Sequence, residues 1–108
     1  MFGLVVRFDL KDGSGEVFDA LTSEAVALIK EAEPGTLVYA CHAVEGDAEA
    51  RIFYELYRDK DAFETHERQE HVRRFHEQKA QYLSAEPKVE FLSLQLGKGI
   101  PAVDAHRQ

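Results

Sequence analysis

The chain has 108 residues, of which 44% are hydrophobic and 31% charged, values that describe a single globular domain and exclude a disordered chain. A formal net charge of -7 disfavours nucleic-acid binding, because an acidic surface repels phosphate. No apolar run approaches the ~20 residues of a membrane span, and the apolar start is interrupted by Arg7 and Asp9 before it could serve as an export signal. We therefore expect a cytoplasmic protein with no membrane partner.

The first third of the chain predicts a strand, a turn and a helix. Residues Phe2 to Phe8 are rich in strand-forming types, and a turn cluster follows at Asp12 to Gly15. A helix is predicted from about Glu16 to Glu33, where Pro34 and Gly35 end it. Its apolar residues recur at spacings of three and four and give one stripe: Phe18, Leu21, Ala25, Leu28 and Ala32.

The middle of the chain predicts a β-hairpin and a short helix. Strands are expected at about Thr36 to Val44 and Arg51 to Arg58, with the turn at Gly46. Asp59 is suited to cap a short helix that ends near His66, because its side chain can accept from a free backbone N–H.

The last third predicts a longer helix, a strand and a tail. The helix should extend to about Leu83, with one face formed by Val72, Phe75, Lys79 and Tyr82. A fourth strand is expected from Lys88 to Leu96. We predict one domain over residues 1–96, followed by a tail or arm over residues 97–108.

The single cysteine, Cys41, lies in an apolar run. One cysteine excludes an internal disulfide and a Cys-rich zinc site. We predict that Cys41 is a small residue of the core and not a reactive thiol.

The order of elements, β-α-β-β-α-β, predicts a ferredoxin-like α+β fold with an antiparallel sheet and helices on one face. The other face would ordinarily be polar, but the strand pattern is apolar on both sides. Ile52, Tyr54 and Leu56, for example, alternate with Phe53 and Tyr57. A large exposed apolar face usually marks an interface. We therefore predict a homodimer with two sheets packed face to face, burying ~800 Å² per partner.

Three of the five histidines, His66, His71 and His76, are spaced by five residues. On one continuous helix each such step rotates by ~140°, so the three cannot share a face and a metal site on them is not expected. His66 falls close to the end of the third strand, where it could act as a general base or simply bond a backbone carbonyl. His76 is expected to be solvated.

Glu55 interrupts the apolar run from Ile52 to Tyr57. A buried carboxylate is costly unless it is paired, so three interpretations stay open: a polar pocket, an ion pair with Arg7 or Arg74, or a wet sheet edge. Tyrosines such as Tyr39 suit flat aromatic ligands and equally suit a plain core.

Two stretches form a recognisable pattern: Glu33-Pro-Gly-Thr-Leu-Val-Tyr39, and Glu55-x-Tyr57-x-Asp59-x-x-Ala62-x-x-x-His66-x-x-x-x-His71-x-x-x-Phe75. This pattern resembles the antibiotic biosynthesis monooxygenase family, and the likeness extends from the first predicted strand to the fourth. It implies a dimeric α+β barrel with a pocket between the sheet and the helices of each subunit. Several family members oxidise aromatic polyketides, quinols or other electron-rich rings with O₂, without flavin, haem or metal.

By position, the resemblance gives His66 the role of base or of hydrogen-bond partner to a phenolate, and we expect Glu55 to be a second catalytic group. Tyr57, His71 and Phe75 would line the pocket by resemblance, and we add two further aromatic contacts, Tyr39 and Phe53. Neither a cofactor nor a metal is expected. The chain has no Trp and no Asn, which haem-degrading relatives use, so haem degradation of that type is not expected.

The leading hypothesis is a cofactor-independent monooxygenase that oxidises a quinol, polyphenol or aromatic polyketide with O₂. One alternative is an isomerase or another non-oxidative enzyme that uses the same pocket. Another is a non-catalytic ligand-binding dimer in which the histidines are structural.

Overall fold

The computed structural model describes residues 1–101. Its elements, in chain order, are β1 (Phe2–Asp9), α1 (Gly15–Ala32), β2 (Thr36–Val44), β3 (Asp47–Tyr57), α2 (Lys60–Arg68), α3 (Glu70–Lys79), a 3₁₀ turn (Ala80–Tyr82) and β4 (Lys88–Ser93). The four strands form one antiparallel sheet in the order β2-β3-β1-β4. The predicted ferredoxin-like α+β fold is thereby confirmed.

Several boundaries differ from the predicted ones. Helix α3, which was predicted to extend to about Leu83, ends at Lys79, and a 3₁₀ turn replaces its predicted last turn. The fourth strand ends at Ser93 and not at Leu96, and residues 94–101 contain neither helix nor strand. The predicted tail of residues 97–108 lies partly outside the described residues, and His106 lies wholly outside them.

The main core lies between the helices and one face of the sheet. From the strands it takes Leu4, Val6, Phe8, Phe53 and Tyr57, and from the helices Phe18, Ala25, Ala62 and Phe75. Phe53 and Phe75 stack with ring centres 6.4 Å apart, and Phe8 meets Phe53 edge-on at 4.9 Å. These aromatic contacts fix the distance between the two layers.

The buried stripe of α1 is shifted from the predicted one. Its buried members are Phe18, Thr22, Ala25 and Ile29, whereas Leu28 is 37% exposed and Ala32 is exposed. Spacings of four, three and four keep the observed set on one side of the helix, while Leu28 lies ~100° away from Ile29. Thr22 is tolerated inside because its hydroxyl donates to the carbonyl of Phe18 at 2.9 Å.

The opposite face of the sheet is also apolar, as the strand pattern predicts. Tyr54 pairs with Val5 on one side and with Ala40 on the other, so these three side chains share that outer face. Leu92, on the edge strand β4, is 40% exposed. Cys41 is exposed on β2, the other edge strand, so its predicted place in the core is wrong. An apolar run on an edge strand has fewer neighbours to cover it than one in the sheet centre.

Among residues 1–101, no helix combines the length and apolar character that crossing a bilayer requires. The cytoplasmic location stays a prediction.

Candidate active site

The turn after α1 packs closely against the start of α2. A side chain at Gly35 would place its Cβ 2.8 Å from the Cβ of Ala62, which only glycine avoids. The carbonyl of Gly35 accepts a hydrogen bond from the amide of Arg58 at 3.0 Å. Asp59 caps α2, as predicted, by accepting from the amide of Ala62 at 2.8 Å. This packing holds the end of α1, with Glu33, against α2.

A break between α2 and α3 brings two histidines together. Gln69 has φ -66° and ψ 138°, extended backbone at which one helix stops and the next begins. The five-residue spacing of His66 and His71 therefore does not separate them as it would on a continuous helix. Both rings reach the carboxylate of Glu33, each from its own helix.

Glu33 is a buried carboxylate with three hydrogen-bond donors. Its Oε1 accepts from His66 Nδ1 at 2.6 Å and from Thr36 Oγ1 at 2.7 Å. Its Oε2 accepts from His71 Nε2 at 2.5 Å. Burial alone raises the pKa of Glu33, but the hydrogen bonds from His66, Thr36 and His71 outweigh it and hold that pKa below its ordinary value. Glu33 is therefore ionised at neutral pH.

His66 has the orientation of a general base. Its Nδ1 carries the proton, because the ionised Glu33 can only accept. The other nitrogen, Nε2, is then the basic one, and it lies 3.8 Å from Glu67 Oε2. The side chain is 2% exposed, with its ring centre 5.5 Å from that of Tyr39 and 5.2 Å from that of Tyr57. Packing and the bond to Glu33 together fix the ring.

A cavity of about 370 Å³, which we call the chamber, lies between the sheet and the helices α2 and α3. Its apolar wall comprises Leu4, Val6, Phe8, Phe63, Ala80, Leu83, Pro87, Val89 and Phe91. Its polar wall comprises Tyr39, Glu55, His66, Glu67, His76 and Lys79. Val89 is 46% exposed and Phe91 61% exposed, so the chamber opens beside β4. A largely apolar space with a few convergent polar groups is the usual form of a small-molecule site.

A wider groove of about 610 Å³ lies between α1 and β2. Its charged residues include Arg51 and Asp19, which bond one another at 2.8 Å and so neutralise each other. Its histidine, His42, bonds the carbonyl of Ile52 through Nδ1 at 3.1 Å and is exposed. The histidine of the groove is therefore not oriented by a carboxylate, whereas His66 of the chamber is. For this reason we take the chamber as the candidate active site.

Glu55 occupies the polar pocket that was one of its three predicted settings. It is 6% exposed and faces the chamber, and Tyr57 donates to its Oε1 at 2.5 Å. Burial raises the pKa of Glu55, and the bond from Tyr57 offsets only part of this. The two arginines considered as partners are used elsewhere: Arg7 pairs with two aspartates and Arg74 with a glutamate on its own helix.

Three further titratable groups extend along the same wall. His76 Nε2 lies 3.5 Å from Glu67 Oε2, and His76 Nδ1 lies 2.8 Å from Lys79 Nζ. The hydrogen bond from His76 lowers the pKa of Glu67. His76 is 44% exposed, so it is partly solvated as predicted but also forms part of the chamber.

The structure brings together three of the seven predicted site residues on the chamber wall: Tyr39, Glu55 and His66. The other four lie behind it. Tyr57 is fully buried and orients Glu55, while His71 bonds Glu33. Phe53 and Phe75 stack in the core, with Phe53 also reaching the groove beside α1. Phe53 and Phe75 were predicted to contact the substrate. In the structure they lie between the sheet and the helices and support the chamber wall from behind.

Sequence reasoning missed four residues of this site. Glu33 belongs to the Glu-Pro-Gly pattern but is 33 residues from His66, and no local signal joins them. Glu67, His76 and Lys79 looked like ordinary helix residues. The one available signal was the position of Lys79 on the apolar face of its helix, where a lysine is unusual.

A model of the antibiotic biosynthesis monooxygenase family matches residues 1–78. The chain belongs to this family. No curated protein sequence matches significantly.

Several solved structures share the fold. One crystal structure of an antibiotic biosynthesis monooxygenase is 20% identical, with a TM-score of 0.81 over 89% of this chain and 100% of its own. A candidate monooxygenase of this kind from Caulobacter crescentus is 21% identical, with a TM-score of 0.82 over 87% and 90% of the two chains. A protein from Pseudomonas aeruginosa is 26% identical, with a TM-score of 0.78 over 88% and 94%.

The match to the antibiotic biosynthesis monooxygenase family includes the three elements that build the site. Residues 1–78 contain the Glu33 turn, the strand that presents Glu55 and the helix that presents His66. Within residues 1–101, no group of three or more His, Cys, Asp or Glu side chains is arranged to hold a metal ion.

Proposed function

We propose that this protein is a cofactor-independent monooxygenase that oxidises a quinol or another electron-rich phenol with O₂. The observation that carries the proposal is His66, an imidazole whose tautomer is fixed by Glu33 and which lines a mostly apolar chamber. A base of this kind can remove the phenolic proton and so convert the phenol into the phenolate that reacts with O₂.

The reaction needs no outside reductant. A quinol and O₂ give a hydroxyquinone and water: one oxygen atom replaces a ring hydrogen, the other leaves as water, and the ring supplies all four electrons. His66 Nε2 takes the phenolic proton. The phenolate then passes an electron to O₂, and the resulting radical pair joins at a ring carbon as a peroxide anion. His66 returns its proton to this anion and gives the hydroperoxide. Loss of water from the H–C–OOH carbon leaves a new carbonyl, which is the tautomer of the hydroxyquinone.

The chamber wall supports this chemistry in two ways. Its aliphatic and aromatic side chains keep water away from the reacting atoms. This strengthens the electrostatic interactions between substrate and wall and protects the reactive intermediates from side reactions. Burial raises the pKa of Tyr39 well above its ordinary value, so its phenol is a neutral hydrogen-bond donor to a quinol oxygen. Glu55, its cross-strand neighbour on the wall, is a second polar group within reach of the substrate.

Oxygen consumption tests the proposal. The protein is mixed in aerated buffer with a panel of benzohydroquinones and naphthohydroquinones, and uptake is followed with an oxygen electrode. We expect uptake above the spontaneous rate, one atom of ¹⁸O from ¹⁸O₂ in the product and no stoichiometric hydrogen peroxide. Turnover of a substrate under argon would instead identify an isomerase. Absence of any uptake across the panel would contradict the proposal.

We also propose that a second copy of the chain covers the outer face of the sheet. The support for this is that the outer face carries apolar side chains, among them Val5, Tyr54 and the exposed Leu92. The helices bury only the inner face of the sheet, so the outer apolar face requires another protein surface to bury it. A partner of the same sequence can supply a matching apolar face by two-fold symmetry.

Analytical ultracentrifugation checks the dimer. At micromolar concentration we expect a species of twice the 12.2 kDa monomer mass. Tyr54→Arg should shift it to monomer, because a charge in the centre of an apolar interface is not compensated. Leu28→Arg on α1, a surface of the helical layer, is the matched control and should stay dimeric. A wild-type protein that sediments as a monomer would contradict the proposal.

A further inference from the structure

Lys79 places an ammonium group inside the chamber. It is the last residue of α3 and is only 5% exposed. Its Nζ lies 4.4 Å from the ring centre of Phe8 and 4.6 Å from that of Phe75. Lysines on half-buried helices usually extend their charged end to water. This one instead keeps its charge against two rings of the core.

The ammonium of Lys79 has no carboxylate partner in contact. Within residues 1–101 it takes part in no ion pair, and its hydrogen bond goes to Nδ1 of His76 at 2.8 Å. Glu55 and Glu67 attract it only from a greater distance. An ammonium carries three N–H donors, and the contact with His76 uses one of them. Burial lowers the pKa of Lys79 to about 8, which leaves most of it charged at neutral pH.

A purely structural residue at this position would not need a charge. The rings of Phe8 and Phe75 would pack as well against a methionine, without the cost of removing an ammonium from water. A buried charge in a cleft without a counter-ion in contact marks a candidate functional site. An anionic ligand in the chamber would supply the counter-ion that Lys79 lacks.

We propose that Lys79 is a specificity-determining residue that binds an anionic oxygen of the aromatic substrate. The proposal rests on the proposed function, since the same chamber holds the substrate. His66 is on α2 and Lys79 on α3, so a substrate that meets both has two oxygen functions: a phenol for His66, and a carboxylate or second phenolate for Lys79. A chamber of about 370 Å³ is at the small end for ligand sites and suits one or two fused rings.

A pair of inert ligands tests Lys79 apart from catalysis. Binding of 2-naphthoate and of its neutral analogue 2-naphthamide is measured by isothermal titration calorimetry at pH 7. Neither has a phenol, so neither can be oxidised by the route above. We expect the wild type to prefer naphthoate by roughly tenfold or more, the usual value of a hydrogen bond to a charged group. Lys79→Met should lose that preference, and Lys60→Met, an exposed lysine of α2, should keep it.

Folding of the variants is checked by circular dichroism and thermal unfolding. Lys79→Met should unfold at or above the wild-type temperature, because it removes a buried charge. Lys79→Gln, which keeps a polar end without the charge, provides a second variant and should also lose the preference.

The outcomes separate this inference from the function on which it rests. Equal affinity for the two ligands, binding of neither, or an unchanged preference in both Lys79 variants would overturn the role of Lys79. An intact preference for naphthoate together with no oxygen uptake from any quinol would overturn the monooxygenase proposal and leave the anion site standing.

Discussion

Replacing His66 by alanine is expected to lower the rate of oxygen uptake with a quinol by about 10²–10⁴-fold, the usual contribution of a general base. The substitution removes the basic Nε2 from the chamber and leaves the apolar walls in place. The measurement is the oxygen-electrode rate at saturating quinol, together with KM. A base acts on the chemical step, so we expect the loss mainly in kcat.

His66 also bonds Glu33, and its loss could act through structure alone. Thr36→Val is the matched control, because it removes a hydrogen bond of 2.7 Å to the same Oε1 but leaves both imidazoles in place. It should lose stability and keep nearly all of kcat. Added imidazole should restore part of the rate of His66→Ala, which a merely structural defect would not allow. Full activity in His66→Ala, or an equal loss in Thr36→Val, would remove the base from the mechanism.

The fold could be predicted because its signals are local. Strand-forming runs, the Pro34-Gly35 stop and the Asp59 cap each act within a few residues, and the order of elements then leaves few topologies. The wrong predictions arise because local signals do not determine where an element lies in the tertiary structure. An apolar run does not indicate whether its strand lies at the sheet edge, so the sequence predicts Cys41 in the core although it is exposed on β2.

The candidate site could be predicted only in part, because it is assembled by tertiary contacts. Glu55 stands out in the sequence because it interrupts an apolar run, and His66 because of its place after the third strand and in the family pattern. Both line the chamber. The carboxylate that orients His66 comes from the end of another helix, 33 residues away. The break at Gln69 that lets His71 join it carries neither Pro nor Gly, the usual signals of a helix end.

The arrangement predicted for the three histidines depends on whether they lie on one continuous helix. A spacing of five separates residues on a continuous helix, and that reasoning holds within each helix. The extended backbone at Gln69 divides the three between α2 and α3, so that His66 and His71 converge on Glu33 while His76 faces Glu67. What the sequence presents as three separate histidines is a carboxylate-bridged pair and a third member on the chamber wall.

Glu33→Gln is expected to lower kcat by about 10²–10³-fold, because Glu33 fixes the tautomer of His66 and stabilises the imidazolium that forms when it takes a proton. An amide can accept from only one of its two imidazole neighbours. If its oxygen serves His66, its NH₂ group faces the Nε2–H of His71, and two donors meet. We expect a loss of about 2–4 kcal/mol in the free energy of unfolding as well, since buried polar groups are left without partners.

The pH dependence of that stability loss identifies the carboxylate as its source. The pKa of Glu33 is lower in the folded chain than its ordinary value of 4.5. A lowered carboxyl pKa contributes stability that is complete above the unfolded value and is lost as the pH falls through the folded value. The difference in unfolding free energy between wild type and Glu33→Gln, measured in urea, should therefore be full at pH 7 and shrink below about pH 4.5.

Glu31→Gln is the matched control for this series. Glu31 lies two residues earlier, in the last turn of α1, and is exposed, so its substitution makes the same change of charge without touching a histidine. It should unfold and turn over like the wild type at every pH. Since the Glu33 carboxylate holds both rings, its removal should reduce stability and catalysis together, whereas loss of Lys79 should reduce selectivity and leave stability intact or raised. A Glu33→Gln protein with wild-type kcat would show that His66 needs no carboxylate to act, and the oriented base would then have to be abandoned.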